Sequence, residues 1–124
     1  MRTTLVIAAA GALGAASRHL LESFVNSHWG DAFPWGTFVV NVIGCFLLGA
    51  LVGIFAQRLD VPLWAQAAAT VGFLGAFTTF STYILQIYRS TSTGHLALAF
   101  ANAFGSLAAG LLALYAGILV ARSL

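Results

Sequence analysis

Four long stretches of this chain carry no charged side chain: residues 3–17, 32–57, 61–88 and 90–121. Charged residues make up 6% of the sequence and hydrophobic ones 60%, whereas a soluble domain is about 25% charged. No surface built from such stretches is solvated by water. A bilayer core about 30 Å thick is crossed by about 20 apolar residues in a helix. Inside lipid the main chain must pair its own polar groups, which selects helices or closed barrels. The expected fold is all-α and integral to the membrane. It is a single domain over residues 1–124 with four spans near 4–25, 34–57, 63–88 and 95–121.

Arg2 followed by an Ala-rich apolar run has the look of a signal peptide; the reading taken is the first spanning helix. The links are short and polar: Asn26 to Phe33, Leu59 to Pro62 and Ser90 to Gly94. Trp29, Trp35 and Trp64 lie near span ends, where indoles favour the headgroup region. Short links make consecutive helices antiparallel and put both termini on one side. Arg2, Arg58 and Arg122 then fall on the terminal side, with Arg89 and Arg18 opposite. Orientation follows Lys/Arg asymmetry, and three against two is a weak bias. The chain is therefore expected to insert both ways and to form an antiparallel homodimer.

Charge and cysteine content exclude other classes. The net charge of +2 and pI of 9.2 rest on five Arg, with no Lys and no clustering, so no nucleic-acid partner is expected. The single cysteine, Cys45, forms no intrachain disulfide and reads as a small packing residue. His19, His28 and His95 lack ligand spacing. Glycines are abundant. Gly49 and Gly53 form a GxxxG, Gly11 and Gly14 crowd the first span, and Gly105, Gly110 and Gly117 line the fourth. Small residues let helices approach closely in lipid.

Polar residues within the spans carry the functional signal, because in lipid they must be satisfied or line water. Thr78, Thr79, Ser81 and Thr82 place four hydroxyls in five residues, just before Tyr83 and after Gly72 and Gly75. One such hydroxyl bonds its own helix a turn back; a cluster behind glycines predicts a break in the third helix. Carbonyls freed by a break can coordinate a cation. Phe73, Phe77, Phe80 and Tyr83 recur at helical spacing and read as one face, whose ring edges suit an anion. Thr37 with Asn41, and Asn102 with Ser106, are polar pairs four residues apart on the second and fourth spans. Arg18 and Glu22 share that spacing near the end of the first span. They read as a pair, with Arg18 either drawing anions to a pore mouth or anchoring at the interface. The spans thus offer donors without a mid-depth carboxylate, nucleophile–base pair or phosphate-binding loop. That argues against an enzyme and for a passive path taking a small, strongly hydrated anion.

Three motifs resemble the CrcB/Fluc fluoride channels. Gly14 to Arg18 is similar to the family's GA-x-x-R, and Gly36 to Phe46 to its second-helix signature, with Cys45 where Ser is usual. Gly72 to Tyr83 resembles GF-x-GG-x-TTFSTF, with Tyr83 in place of the last Phe. The fourth span matches least. The resemblance implies a dual-topology homodimer in the inner (plasma) membrane that passes fluoride outward and relieves its toxicity. It implies a structural sodium ion at the dimer centre, held by the main-chain carbonyls of Gly75 and Thr78. It places Asn41, Phe80 and Tyr83 on the fluoride pathway, with Thr37 and Ser106 at polar-track positions; Ser81, Thr82 and Ser106 are expected to supply hydroxyl donors along it, with Arg18 at the mouth. The alternatives are a dual-topology small multidrug/proton antiporter, for which Glu22 is the one candidate carboxylate, and an accessory membrane subunit.

Overall fold

The computed structural model describes residues 1–124, and every regular element is helical. Helix α1 runs Arg2–Trp29 and α2 runs Trp35–Gln57. The third span, Leu63–Ser92, is composite. It starts as α3 (Leu63–Ala67), widens into a π-helical stretch (Ala68–Leu74), closes as the short turn α4 (Gly75–Phe77), and restarts as α5 (Phe80–Ser92). The last span is α6 (Leu96–Arg122). The spans hold 28, 23, 30 and 27 residues, each enough to cross the bilayer core at 1.5 Å per residue.

The first span is longer than the sequence suggests. Asn26, Ser27 and His28, expected in the first link, belong to α1, where their side chains satisfy nearby groups. The Ser27 hydroxyl donates to the Phe24 carbonyl at 2.8 Å, and Asn26 Oδ1 accepts the Gly36 N–H at 3.0 Å. The helix stops at Gly30, whose φ of 77° is open to glycine. Arg18 therefore lies inside the span, not at its far end. Gly94, with φ 80°, makes the turn between α5 and α6.

Only 15 of the 124 residues are buried, with a small core of Val40, Leu74 and Phe77. Leu20, Phe24, Phe100 and Phe104 are all more than 60% exposed. A chain that leaves such side chains outward is solvated by lipid or by protein, and it is a multi-pass membrane protein. Its interior is built on backbone contact instead. An added Cβ at Gly49 would lie 2.1 Å from the Leu114 carbonyl oxygen, and one at Gly117 2.1 Å from that of Phe46, so α2 and α6 touch main chain to main chain. Gly14 likewise meets the Phe73 carbonyl across α1 and the π-helical stretch, at 2.2 Å. The fourth-span glycines do not form one seam, since Gly105 has no neighbour within 4 Å.

Candidate functional site

The break in the third span is the organising feature of the site. Thr78 and Thr79 are extended, with φ/ψ of −90°/158° and −145°/115°. The Thr78 N–H still donates to the Leu74 carbonyl at 3.0 Å, but the N–H of Thr79 loses its helical partner at membrane depth, which is tolerated only where other groups take it up or a cavity is lined. Asn41 on α2 does the first: Nδ2 donates to the Thr79 carbonyl at 3.0 Å, and Oδ1 accepts the Thr79 N–H at 2.8 Å. An amide carries two N–H donors, so one remains for another acceptor. Arg18 supports the near side, its Nε donating to the Ala76 carbonyl at 3.0 Å. It is not paired with Glu22, whose Oε1 is buried without a partner; the carbonyl next to the break is the better-placed acceptor.

The threonines divide their work. The Thr78 hydroxyl donates back to the Leu74 carbonyl at 3.0 Å, the ordinary behaviour of a membrane threonine. The Thr79 hydroxyl caps α5, accepting the Thr82 N–H at 3.4 Å and donating to the Thr82 hydroxyl at 3.1 Å. Outside the regular helices, no main-chain N–H donates to the carbonyl of Gly75, Phe77 or Thr78. Freed carbonyls of a broken membrane helix can coordinate a cation.

The break also splits the aromatic set. Phe73 and Phe77 stack at 5.7 Å and 12°, with Phe77 in the core. Phe80 is 74% exposed and sits 5.9 Å from the Tyr83 ring, tilted by 48°. The two pairs do not share one face, because two extended residues intervene between Phe77 and Phe80.

Beside the break lies an open cavity of about 460 Å³. It brings together Asn41, Gly75, Thr78, Phe80, Tyr83 and Ser106, and none of its lining residues is charged. Cys45 also lines it. The other residues singled out in the sequence lie outside it. Arg18 sits behind the break, Thr37 is buried, Ser81 is exposed, and Thr82 is half-buried. The Tyr83 hydroxyl donates to the Ala103 carbonyl, tying α5 to α6. The Asn102–Ser106 pair is made as its spacing suggested, with the Ser106 hydroxyl donating to Asn102 Oδ1 at 2.8 Å.

Sequence reasoning missed Gln86. Its Nε2 donates to Thr37 Oγ1 at 2.8 Å, while its Oε1 is buried without a partner. The signal was present, since Thr79, Tyr83 and Gln86 follow one another at helical spacing.

Comparison with known proteins places this geometry in context. Residues 5–118 match the family described as CrcB-like protein, Camphor Resistance (CrcB). The chain is 43% identical over 116 residues to the fluoride-specific ion channel FluC of Magnetococcus marinus, covering 94% of each chain. It is 40% identical over 124 residues to the protein of the same name from Citrifermentans bemidjiense, covering all of both. With that of Azotobacter vinelandii it shares 40% identity over 119 residues, 96% of each.

Proposed function

The chain belongs to the CrcB-like family, and we propose that it is a fluoride-selective channel through which cytoplasmic fluoride leaves passively, down its gradient. The observation that carries this reading is the cavity wall, which holds an amide, hydroxyl groups and aromatic rings but no charge. Fluoride is small and holds its water tightly, so dehydration is the main barrier. Neutral donors replace that water, and side chains without charge hold the ion weakly enough to let it go again. The second N–H of Asn41 is the free donor nearest the break, and Ser106 and the rings of Phe80 and Tyr83 line the same space. Thr37, Ser81 and Thr82 continue the polar track, and Arg18 holds the main chain from behind. The relatives bear the name of a fluoride channel, which is not an enzyme. Nothing supports the antiporter reading, and its candidate carboxylate, Glu22, does not line the cavity.

The working unit in this reading is an antiparallel homodimer in the inner (plasma) membrane. Its support is the open side of the cavity, where Phe80 and Gly75 are exposed in the single chain. Two copies meeting there would bring two Gly75 and two Thr78 carbonyls to one point. A cage of few oxygens suits a small monovalent cation such as sodium rather than calcium, which takes 6–8. When bound, the ion would supply a fixed positive charge linking the two breaks. The scarcity of basic residues supports insertion in both orientations. The test is fluoride efflux from liposomes holding the purified protein, without a proton gradient. Flux of fluoride and not chloride is expected; proton-coupled cation uptake, or no transport, would overturn the reading.

A further inference from the structure

Three polar residues stand four apart on one face of α1: Arg18, Glu22 and Asn26. The outer two reach the main chain of other helices. Arg18 Nε donates to the Ala76 carbonyl of α4 at 3.0 Å, and Asn26 Oδ1 accepts the Gly36 N–H of α2 at 3.0 Å. That face is therefore turned into the protein, and the neighbouring Leu21 packs against the core of Val40, Leu74 and Phe77. The middle residue is the exception. Glu22 Oε1 is buried with no hydrogen-bond partner. Buried polar groups are normally paired, so neither packing nor main-chain support accounts for this carboxylate.

The distribution of charge in the chain supplies a role. There are eight charged side chains, five Arg and three acids. Six stand in links or at helix ends: Arg2, Asp31, Arg58, Asp60, Arg89 and Arg122. Arg18 and Glu22 alone lie well inside a span, Glu22 about two turns before α1 ends at Trp29. The cavity beside the break has no charged lining residue, so no charge in its wall masks theirs. In a medium of low dielectric, charges act over many ångströms. Arg18 is held at Ala76, two residues before Thr78 and the extended backbone of the break, and from there it attracts an anion. Unopposed, it would also retain the ion, and a pathway must release what it takes up. Glu22, one turn along the same face, opposes it.

We propose that Glu22 sets the affinity of the pathway for fluoride: its negative charge offsets that of Arg18, so that the ion is drawn to the break and still released. This rests on the fluoride-channel reading above. The test is fluoride current through the protein in planar bilayers, recorded against fluoride concentration for wild type, Glu22→Gln and Glu22→Asp, with size exclusion as the folding control. Glu22→Gln keeps the shape and removes the charge. Its half-saturating fluoride concentration is expected to fall about threefold or more, the scale on which a unit charge about 15 Å away changes an ion's affinity at an effective dielectric of about 20. Glu22→Asp shortens the side chain and keeps the charge, so its half-saturating concentration is expected to stay closer to that of wild type. A packing role predicts the reverse order, with the shorter Glu22→Asp disturbed and the isosteric Glu22→Gln unchanged. A smaller or opposite shift in Glu22→Gln, or an equal shift in Glu22→Asp, would overturn the proposal and leave Oε1 to an immobile water. If Glu22→Gln fails to fold, Glu22→Met, uncharged and of similar length, is read in its place. Absence of wild-type current would remove the channel reading as well; an indifferent Glu22→Gln beside a conducting wild type removes only this inference.

Discussion

The side chain of Asn41 pairs with the main chain of Thr79 as a strand neighbour would, giving one hydrogen bond and taking another at 3.0 and 2.8 Å. One side chain thereby satisfies both polar groups of a residue that the helix has abandoned. Replacement by Leu leaves a buried N–H and C=O without partners, at about 1–3 kcal/mol each. Asn41→Asp keeps the acceptor and loses the donor. It also sets an anion beside the path, where two charges 4 Å apart repel by about 4 kcal/mol at an effective dielectric of about 20. Taken as barrier height, that is roughly a thousandfold loss of flux. Liposome efflux measures it, and wild-type flux in Asn41→Asp would remove Asn41 from the pathway.

Phe80→Ile is expected to separate packing from conduction. The ring is 74% exposed in the single chain, so its loss does not open a core cavity. Flux should fall sharply while the elution volume on size exclusion is kept. Unchanged flux, with only a stability change of about 1–3 kcal/mol, would make Phe80 a packing residue.

Tyr83→Phe deletes the hydroxyl that joins α5 to the Ala103 carbonyl and keeps the ring. The expected cost is about 0.5–1.5 kcal/mol of stability, seen as a lower unfolding temperature in detergent, with flux retained within a few-fold. A loss of flux as large as that of Phe80→Ile would place the hydroxyl itself in the ion's path.

Replacing sodium by a bulky organic cation during purification should weaken the dimer, through the loss of an ion bridging the Gly75 and Thr78 carbonyls. Dimer dissociation followed in detergent against sodium concentration measures it. Indifference to sodium would empty the proposed site.

Leu59→Lys with Val61→Lys adds two charges beside Arg58 and should fix one orientation. With Arg18 inside α1, the ends are marked by Arg2, Arg58 and Arg122 against Arg89. The doubly substituted variant, expressed alone, is expected to be inactive. Activity should return when it is co-expressed with an oppositely biased copy, in which Arg58→Ala and Arg122→Ala are combined with Thr93→Lys and His95→Lys. Full activity from the first variant alone would exclude an obligatory antiparallel pair.

The four spans were legible because charge is a one-dimensional signal, and three of the four uncharged runs nearly coincide with spans; α1 runs on past Arg18 and Glu22. The break was legible for a related reason, since Gly75 and the threonines after it weaken a helix through their own chemistry. What the break does to its neighbours was not legible. Helical spacing put Phe77 and Phe80 on one face, but two extended residues turn one into the core and the other outward. Partners distant in sequence were hidden in the same way. Arg18 reaches a carbonyl 58 residues away and Gln86 a hydroxyl 49 away, and neither choice is written in local pattern. Their nearest sequence cues, Glu22 for Arg18 and plain amphipathicity for Gln86, point elsewhere.

The π-helical stretch Ala68–Leu74 makes residue number a matter of angular phase. A π turn closes over one residue more than an α turn, so the chain between Trp64 and the break contains slack of about one residue. Deleting one residue there would let the stretch relax to an ordinary helix. Each residue of an α-helix turns by about 100°, so an insertion or deletion elsewhere in the span, with no such slack, would swing Trp64 about the axis relative to Thr78 and Thr79. The third span is thus keyed in rotation at the break, where the Asn41 clasp fixes it against α2, and the π-helical stretch sets how the exposed Trp64 is turned relative to that point.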